Sequence, residues 1–212
     1  MHPHKLHRRH GEALILQRGR LALSLGGVLL GAVLAAPPVH AQPAVLDAAH
    51  SSIGFVCKQM GAPMPGRFSR FRADAVLDAK ALPASHLSVV IDMSGVTMDN
   101  ADIDATLRQP DWFDTQRYAQ ADFTSTAIKR LGPQDFQVTG RLTLKGQTRL
   151  VTLPLHLVQT GAPPRLVSVA SGTFDIRRSD FHVGAGSWAD PSIVADTVTV
   201  NFHLTLTGLA PL

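Results

Sequence analysis

From residue 45 onward the chain alternates apolar and polar residues with a period of two, the pattern of β-strands that bury one face and wet the other. The alternation is cleanest in Phe136, Val138, Gly140, Leu142 and Leu144, interleaved with Gln137, Thr139, Arg141, Thr143 and Lys145. It returns near the C-terminus, where Val198, Val200, Phe202, Leu204 and Leu206 stand against Thr197, Thr199, Asn201, His203 and Thr205. Six further segments carry an inward face: Ile53, Phe55, Cys57; Phe71, Ala73, Ala75, Leu77; Leu87, Val89, Ile91, Met93; Ala121, Phe123, Ser125, Ala127; Val151, Leu153, Leu155, Leu157; and Gly172, Phe174, Ile176. Turn residues separate these strands at Pro63 to Gly66, Ala79 to Ser85, Leu131 to Pro133, Lys145-Gly146 and Gly161 to Pro164. Eight one-sided strands with short connections predict an all-β, antiparallel fold, either a closed barrel or a two-sheet sandwich.

The segment from Asp99 to Asp114 breaks the period. Ile103 and Leu107 lie four apart, Asp99 or Asn100 can cap, and Asp102 and Asp104 fall where the helix dipole favours negative charge. Pro110 stops the helix, and Trp112-Phe113 place two large aromatics on the connection after it. This predicts a short helix, about residues 100–108, lying across one end of the sheet structure, with the aromatic pair near the end of any pocket.

Residues 1–41 read as a separate element. Lys5, Arg8, Arg9, Arg18 and Arg20 form a basic start, Leu21 to Ala36 an apolar run, and Pro37-Pro38 and Val39-His40-Ala41 a signal-peptidase ending. The run is short for a membrane span, which needs about 20 apolar residues. The expectation is a signal peptide cleaved after Ala41, a domain over residues 42–212, and a periplasmic location.

That division changes the electrostatics. The chain has 20 Lys/Arg and 16 Asp/Glu; the leader holds five and one of them, which leaves 15 of each and no formal net charge on residues 42–212. A nucleic-acid partner needs a basic face, and none is indicated. The five histidines of this part (His50, His86, His156, His182, His203) are scattered without ligand spacing, so no metal is expected. Cys57 has no second cysteine to pair with, and its place in an apolar alternation marks it as a buried thiol.

Catalytic signatures are sparse. His50, Ser51 and Ser52 are adjacent, but no G-x-S-x-G elbow, phosphate loop or dinucleotide fingerprint occurs. The apolar side says more. Ala73, Ala75, Ala121, Ser125, Ala127, Gly140 and Gly172 are small residues on inward positions, and an eight-stranded barrel has room either for its own side chains or for one small ligand. Small residues favour a cavity; Phe55, Phe68, Phe71, Phe123, Phe174 and Phe181 are the side chains that would fill it.

The order of motifs resembles the YceI family. The matching pieces are Leu46-Asp47 with His50-Ser51 and Ile53-Gly54-Phe55, Gly66-Arg67-Phe68 to Phe71, Leu107 to Phe113-Asp114, Phe123 to Thr126, Val138 to Gly146, and Arg178-Ser179-Asp180-Phe181. They cover about residues 45 to 209. The resemblance implies an eight-stranded lipocalin-like β-barrel with an elongated pocket for an isoprenoid or polyprenyl, quinone-like lipid. It also implies no cofactor, no catalytic residue and a context beside membrane cytochromes of the b561 type, in quinone handling or envelope stress. Two positions depart from the family pattern: His182, where many members carry glycine, and Cys57, where an aliphatic residue is common.

Taken with the strand parity, the expected pocket lining is Phe55, Cys57, Phe68, Phe71, Ala73, Val89, Ile91, Leu107, Trp112, Phe113, Phe123, Val138, Leu142, Leu153, Phe174, Ile176, Phe181, Val200 and Phe202. The expected function is a periplasmic carrier for such a lipid, and not an enzyme. The competing readings are an enzyme using His50 or His182 with a neighbouring Asp, and a solid-cored structural module. N-terminal sequencing of envelope protein is expected to begin at Gln42; a start at Met1 would refute the leader.

Overall fold

The computed structural model describes residues 43–212, so the leader and its cleavage point lie outside the described residues. Among the described residues the chain forms ten strands and one α-helix. The first strand, β1 (Val45–Gln59), is interrupted by a bulge between Asp47 and Ser52, where its register against the last strand shifts. Asp47 stabilises the bulge by accepting the N–H groups of Ala49 and His50, and Ser51 Oγ accepts from Thr205 N at 2.9 Å.

Pro63 to Gly66, expected to form a turn, is instead part of β2 (Ala62–Phe68), which pairs with β1 from Gln59↔Ala62 to Ile53↔Phe68. The chain reverses at Met60-Gly61, with φ of 48° and 82°, the two positive values of a tight hairpin turn. Pro63 and Pro65 are tolerated because the other edge of β2 is paired only at Arg67 and Phe68, so their missing N–H groups cost no ladder bond.

Two strands are each broken in the middle. β2 continues past Ser69-Arg70 into β3 (Phe71–Val76), and β4 (His86–Asp92) continues through a 3-10 turn at Met93–Gly95 into the two-residue β5 (Val96–Thr97). β3 pairs with β4 and β2 with β5, and the gap is bridged by Ser69 N–H to Gly95 O (2.9 Å) and Asp92 N–H to Arg70 O (3.0 Å). Counted as one each, they give the eight strands that the alternation predicts.

The rest is a meander: β6 (Gln120–Arg130), β7 (Asp135–Leu144), β8 (Gln147–Thr160), β9 (Val167–Arg177) and β10 (Thr197–Thr207), each antiparallel to the next, with β4 on β6 and β10 on β1. The sheet therefore curls round to its own start as a lipocalin-like barrel, and Ala44 N–H to Ala75 O (2.8 Å) adds a bond across the seam between β1 and β3. β6 departs from the expected alternation as well. Thr126 is an extra residue between the pairs Ser125↔Gly140 and Ala127↔Thr139, so parity reverses there; Ala127, expected inward, is exposed and Ile128 turns in.

The helix, α1 (Ala101–Leu107), starts where the sequence places it. Asn100 caps it by accepting from Asp102 N and Ile103 N, both at 3.1 Å. Asp104 does more than complement the dipole: its carboxylate takes Thr97 Oγ1 at 2.6 Å and Met98 N at 2.7 Å, which ties the helix to the end of β5.

Packing divides the interior. At one end Phe136, Val138, Leu155, Leu157, Ala170, Leu204 and Leu206 form a tightly packed plug around a void of about 40 Å³, with Phe136, Val138 and Leu157 each 1% exposed. At the other, Phe55, Met93, Val96, Leu107, Phe113, Phe181 and Val183 cluster beneath α1. Replacing Asn100 with Ala is expected to cost about 1 kcal/mol, read by urea denaturation, and to speed amide exchange in α1 ahead of the β7–β8 strands; unchanged exchange in α1 would show that the cap does not hold it.

Candidate functional site

Between plug and helix lies a cavity of about 360 Å³. Its deep end is Ile53, Leu87, Phe123, Leu153 and Leu204, next to the plug. The waist is formed by Phe55, Val89, Leu142, Phe174, Val200 and Phe202, and the outer part by Met64, Met93, Met98, Ile103 and Leu107. Polar lining is confined to Cys57, to Arg178 and to a rim of Gln59, Asp102 and Thr106, where the hairpin tip, α1 and the β9–β10 loop meet. The cavity is therefore apolar over most of its wall, with its polar groups gathered mainly at this mouth.

What keeps it open is the placement of three glycines. Phe55 stands opposite Gly66 on β2, Phe202 opposite Gly172 on β9, and Phe123 diagonally across from Gly140 on β7. A Cβ at any of the three glycines would collide with that neighbour's ring. The rings thus lie back over bare backbone on the adjacent strand instead of pointing across the lumen. The small residues and the phenylalanines are therefore not competitors for the interior: the phenylalanines cover the small residues, and the lumen survives because the covering is flat. Phe55, Phe68 and Phe113 continue as an aromatic row, with ring centroids 5.3 and 6.3 Å apart.

Most of the residues read from parity line this cavity: Phe55, Cys57, Phe68, Val89, Ile91, Leu107, Trp112, Phe113, Phe123, Leu142, Leu153, Phe174, Ile176, Val200 and Phe202. Four do not. Phe71 and Ala73 lie beyond the break in the second strand, half-buried against the packed end. Val138 belongs to the plug. Phe181 is buried in a 3-10 turn, Arg178–Phe181, where it packs in the cluster beneath α1 without lining the cavity. Trp112 sits at the mouth with its ring 5.5 Å from that of Trp188.

The residue that sequence reasoning missed is Arg178, 4% exposed. Among the described residues no carboxylate bonds it. Its guanidinium donates instead to five backbone carbonyls: Ala195 (3.2 Å), Val183 (2.9 Å), Gly184 (2.7 Å), Trp188 (2.8 Å) and Val194 (2.7 Å). One buried cation thereby folds the whole β9–β10 loop into a wall of the mouth. Met64 and Met98 were missed as well, since Met64 lies in the segment read as a turn and Met98 in an irregular connection.

The remaining titratable groups are arranged for structure. Cys57, expected to be a buried thiol, is only half-buried; that partial burial still pushes its thiol above the ordinary range, and its Sγ lies 3.6 Å from Met64 O. The His50 side chain is 76% exposed and paired with Asp47 at 2.8 Å; His203 points outward. His182 is exposed with φ of 56°, a left-handed value that explains why glycine is common there in the family the motifs resemble. None of the three histidines lines the cavity, so the lining itself is unaffected by His182, whereas Cys57 is part of it.

The model of the YceI-like domain matches residues 45–206. The chain belongs to the YceI-like family. A UPF0312 protein of Vibrio parahaemolyticus is 33% identical over 169 residues, covering 75% of this chain and 89% of that one. Another from Shewanella baltica strain OS195 is 35% identical over 144 residues, 66% and 75% of the respective chains. Among solved structures, Burkholderia cenocepacia BcnA superposes with a TM-score of 0.71 at 37% identity, over 76% of this chain and 98% of its own. A polyisoprenoid binding domain from Saccharophagus degradans shares the fold at 19% identity, with a TM-score of 0.63 over 80% and 99%.

In this YceI-like barrel the Phe55–Gly66 pair offers a direct test, because the Cβ of Gly66→Ala would meet only the flexible ring. The variant is expected to fold with a loss of about 1–3 kcal/mol while its Phe55 ring swings into the lumen, cutting the uptake of a small apolar probe such as 1-N-phenylnaphthylamine. Unchanged probe fluorescence on titration would contradict this role for the glycine.

Proposed function

We propose that this YceI-like protein is a periplasmic carrier that encloses the chain of a polyprenyl or isoprenoid-quinone lipid and performs no chemistry on it. The observation that carries the reading is the distribution of polarity in the cavity: an apolar wall whose polar groups gather mainly at the mouth. At about 0.8 kcal/mol per enclosed CH₂, a few isoprene units offset the cost of ordering the chain without any charged anchor. The family relationship supports the same ligand class, and the fold is shared with a domain described as polyisoprenoid binding. A catalytic reading requires an acid or base within about 3 Å of the reacting atom; the histidines considered for that role lie outside the cavity, and the Arg178 donors are already engaged. The proposed setting is quinone handling or envelope stress beside a membrane cytochrome of the b561 type.

Organic extraction of protein purified from its own envelope, followed by mass spectrometry, is expected to yield one isoprenoid-chain lipid in near-stoichiometric amount. Recovery of ordinary phospholipid alone would reject the reading. A second measurement uses Cys57. Because burial holds its thiol protonated at neutral pH, alkylation by maleimide should be slow there and accelerate above the ordinary thiol range. Lipid-loaded protein should react more slowly than stripped protein at every pH, and equal rates would place the lipid elsewhere.

A further inference from the structure

The mouth of the sac carries apolar side chains that the interior does not use. Met60, at the tip of the β1–β2 hairpin, is 81% exposed, and Ile193, on the β9–β10 loop, is 38% exposed. They are held side by side: Met60 N–H donates to Ile193 O at 2.8 Å, and Gln59 and Val194, one residue further in on each segment, are bridged and line the cavity. Met60 also occupies a backbone conformation that disfavours it. Its φ of 48° is the first of the two positive values of the turn, a place where asparagine or glycine is the usual occupant. A long apolar side chain there meets strain and gains no burial, so local folding does not account for it.

Charge is sparse on the two segments themselves, which are flanked by one residue of each sign, Lys58 and Asp196. Residues 59–66 read Gln-Met-Gly-Ala-Pro-Met-Pro-Gly, and across the mouth Val183 to Ala195 contains one charged residue, Asp190. Trp188 stands half-buried in that loop, a side chain suited to an interface with an apolar and a wet side. The opposite lip carries both signs: Asp99 is paired with Arg67, Asp104 is bonded to Thr97 and Met98, Asp102 borders the cavity at the start of α1, and Arg108 stands at its end.

We propose that Met60, Ile193 and Trp188 form a docking edge that inserts into the surface of a lipid bilayer and brings the mouth of the sac against it. This rests on the carrier reading, which supplies the reason for an apolar edge at this mouth: a chain that dissolves in membranes must cross from one apolar medium to the other at that point. With one charge of each sign beside the edge and Asp99 paired with Arg67, there is no basic cluster to seek anionic headgroups, so the contact is hydrophobic.

The test uses the exported chain, phosphatidylcholine vesicles with or without added phosphatidylglycerol, and NBD-labelled decaprenol as probe. Met60→Asn and Ile193→Ser are combined; asparagine suits the left-handed turn, so folding stability is expected to hold or rise. Vesicle co-sedimentation and the rate of probe transfer between vesicles should both fall on the order of tenfold, with probe affinity measured without vesicles unchanged within about twofold. In the unaltered protein, added phosphatidylglycerol or salt should change vesicle binding little. Unchanged transfer in the double variant, or vesicle binding abolished by salt, would overturn the proposal. So would a dimer in light scattering that the double variant dissociates while vesicle binding persists, which would make the edge a protein interface. Failure of the unaltered protein to take up decaprenol without vesicles would count against the carrier reading instead, since co-sedimentation with probe-free vesicles scores the docking edge alone.

Discussion

An eight-stranded barrel is just wide enough for its own side chains, so an open lumen requires large residues to be kept out of its centre without being removed from its wall. Here that is achieved by three ring-over-glycine pairs, Phe55 on Gly66, Phe123 by Gly140 and Phe202 on Gly172. Each ring hides backbone that glycine leaves bare, and each glycine gives the ring a place to lie flat. Remove either partner and the sac narrows or its wall opens. The packed end of Phe136, Val138, Leu155 and Leu157 shows the alternative, where large side chains on β7 and β8 fill the interior and leave a void of only about 40 Å³.

The mouth is organised by a different force. Arg178 is a buried charge solvated by five carbonyls of one loop in place of a carboxylate. Losing any of those hydrogen bonds is costly, since each freed donor would stay buried and unpaired. The loop that carries Trp188 and Val194 is thereby tied down at five carbonyls, although it contains little regular structure.

Much of this was legible in residue order. Period-two alternation located eight strands because most buried strand residues have a wetter neighbour, the buried run Ile53–Phe55 being an exception, and Asn100 with Asp102 and Asp104 marked the helix start. The alternation failed where the backbone departs from a regular ladder. At Thr126 a bulge reverses parity and expels Ala127; at Pro63 and Pro65 proline suggested a turn, where a strand edge free of ladder bonds accommodates it. Phe71 and Ala73 were misplaced because the break at Ser69-Arg70 redirects the strand that carries them. Arg178 was hidden for another reason: a side chain whose partners are all backbone atoms leaves no complementary residue in the sequence to find.

The packed end beside the cavity has a topological consequence for the proposed carrier. A flexible chain entering at the mouth would go in tail first, and the polar group that terminates it would stop beside Gln59, Asp102 and Thr106. Loading and unloading would then be one path travelled in two directions. The head of such a cargo would stay presented to the outside, within reach of another protein while the tail is still sheathed.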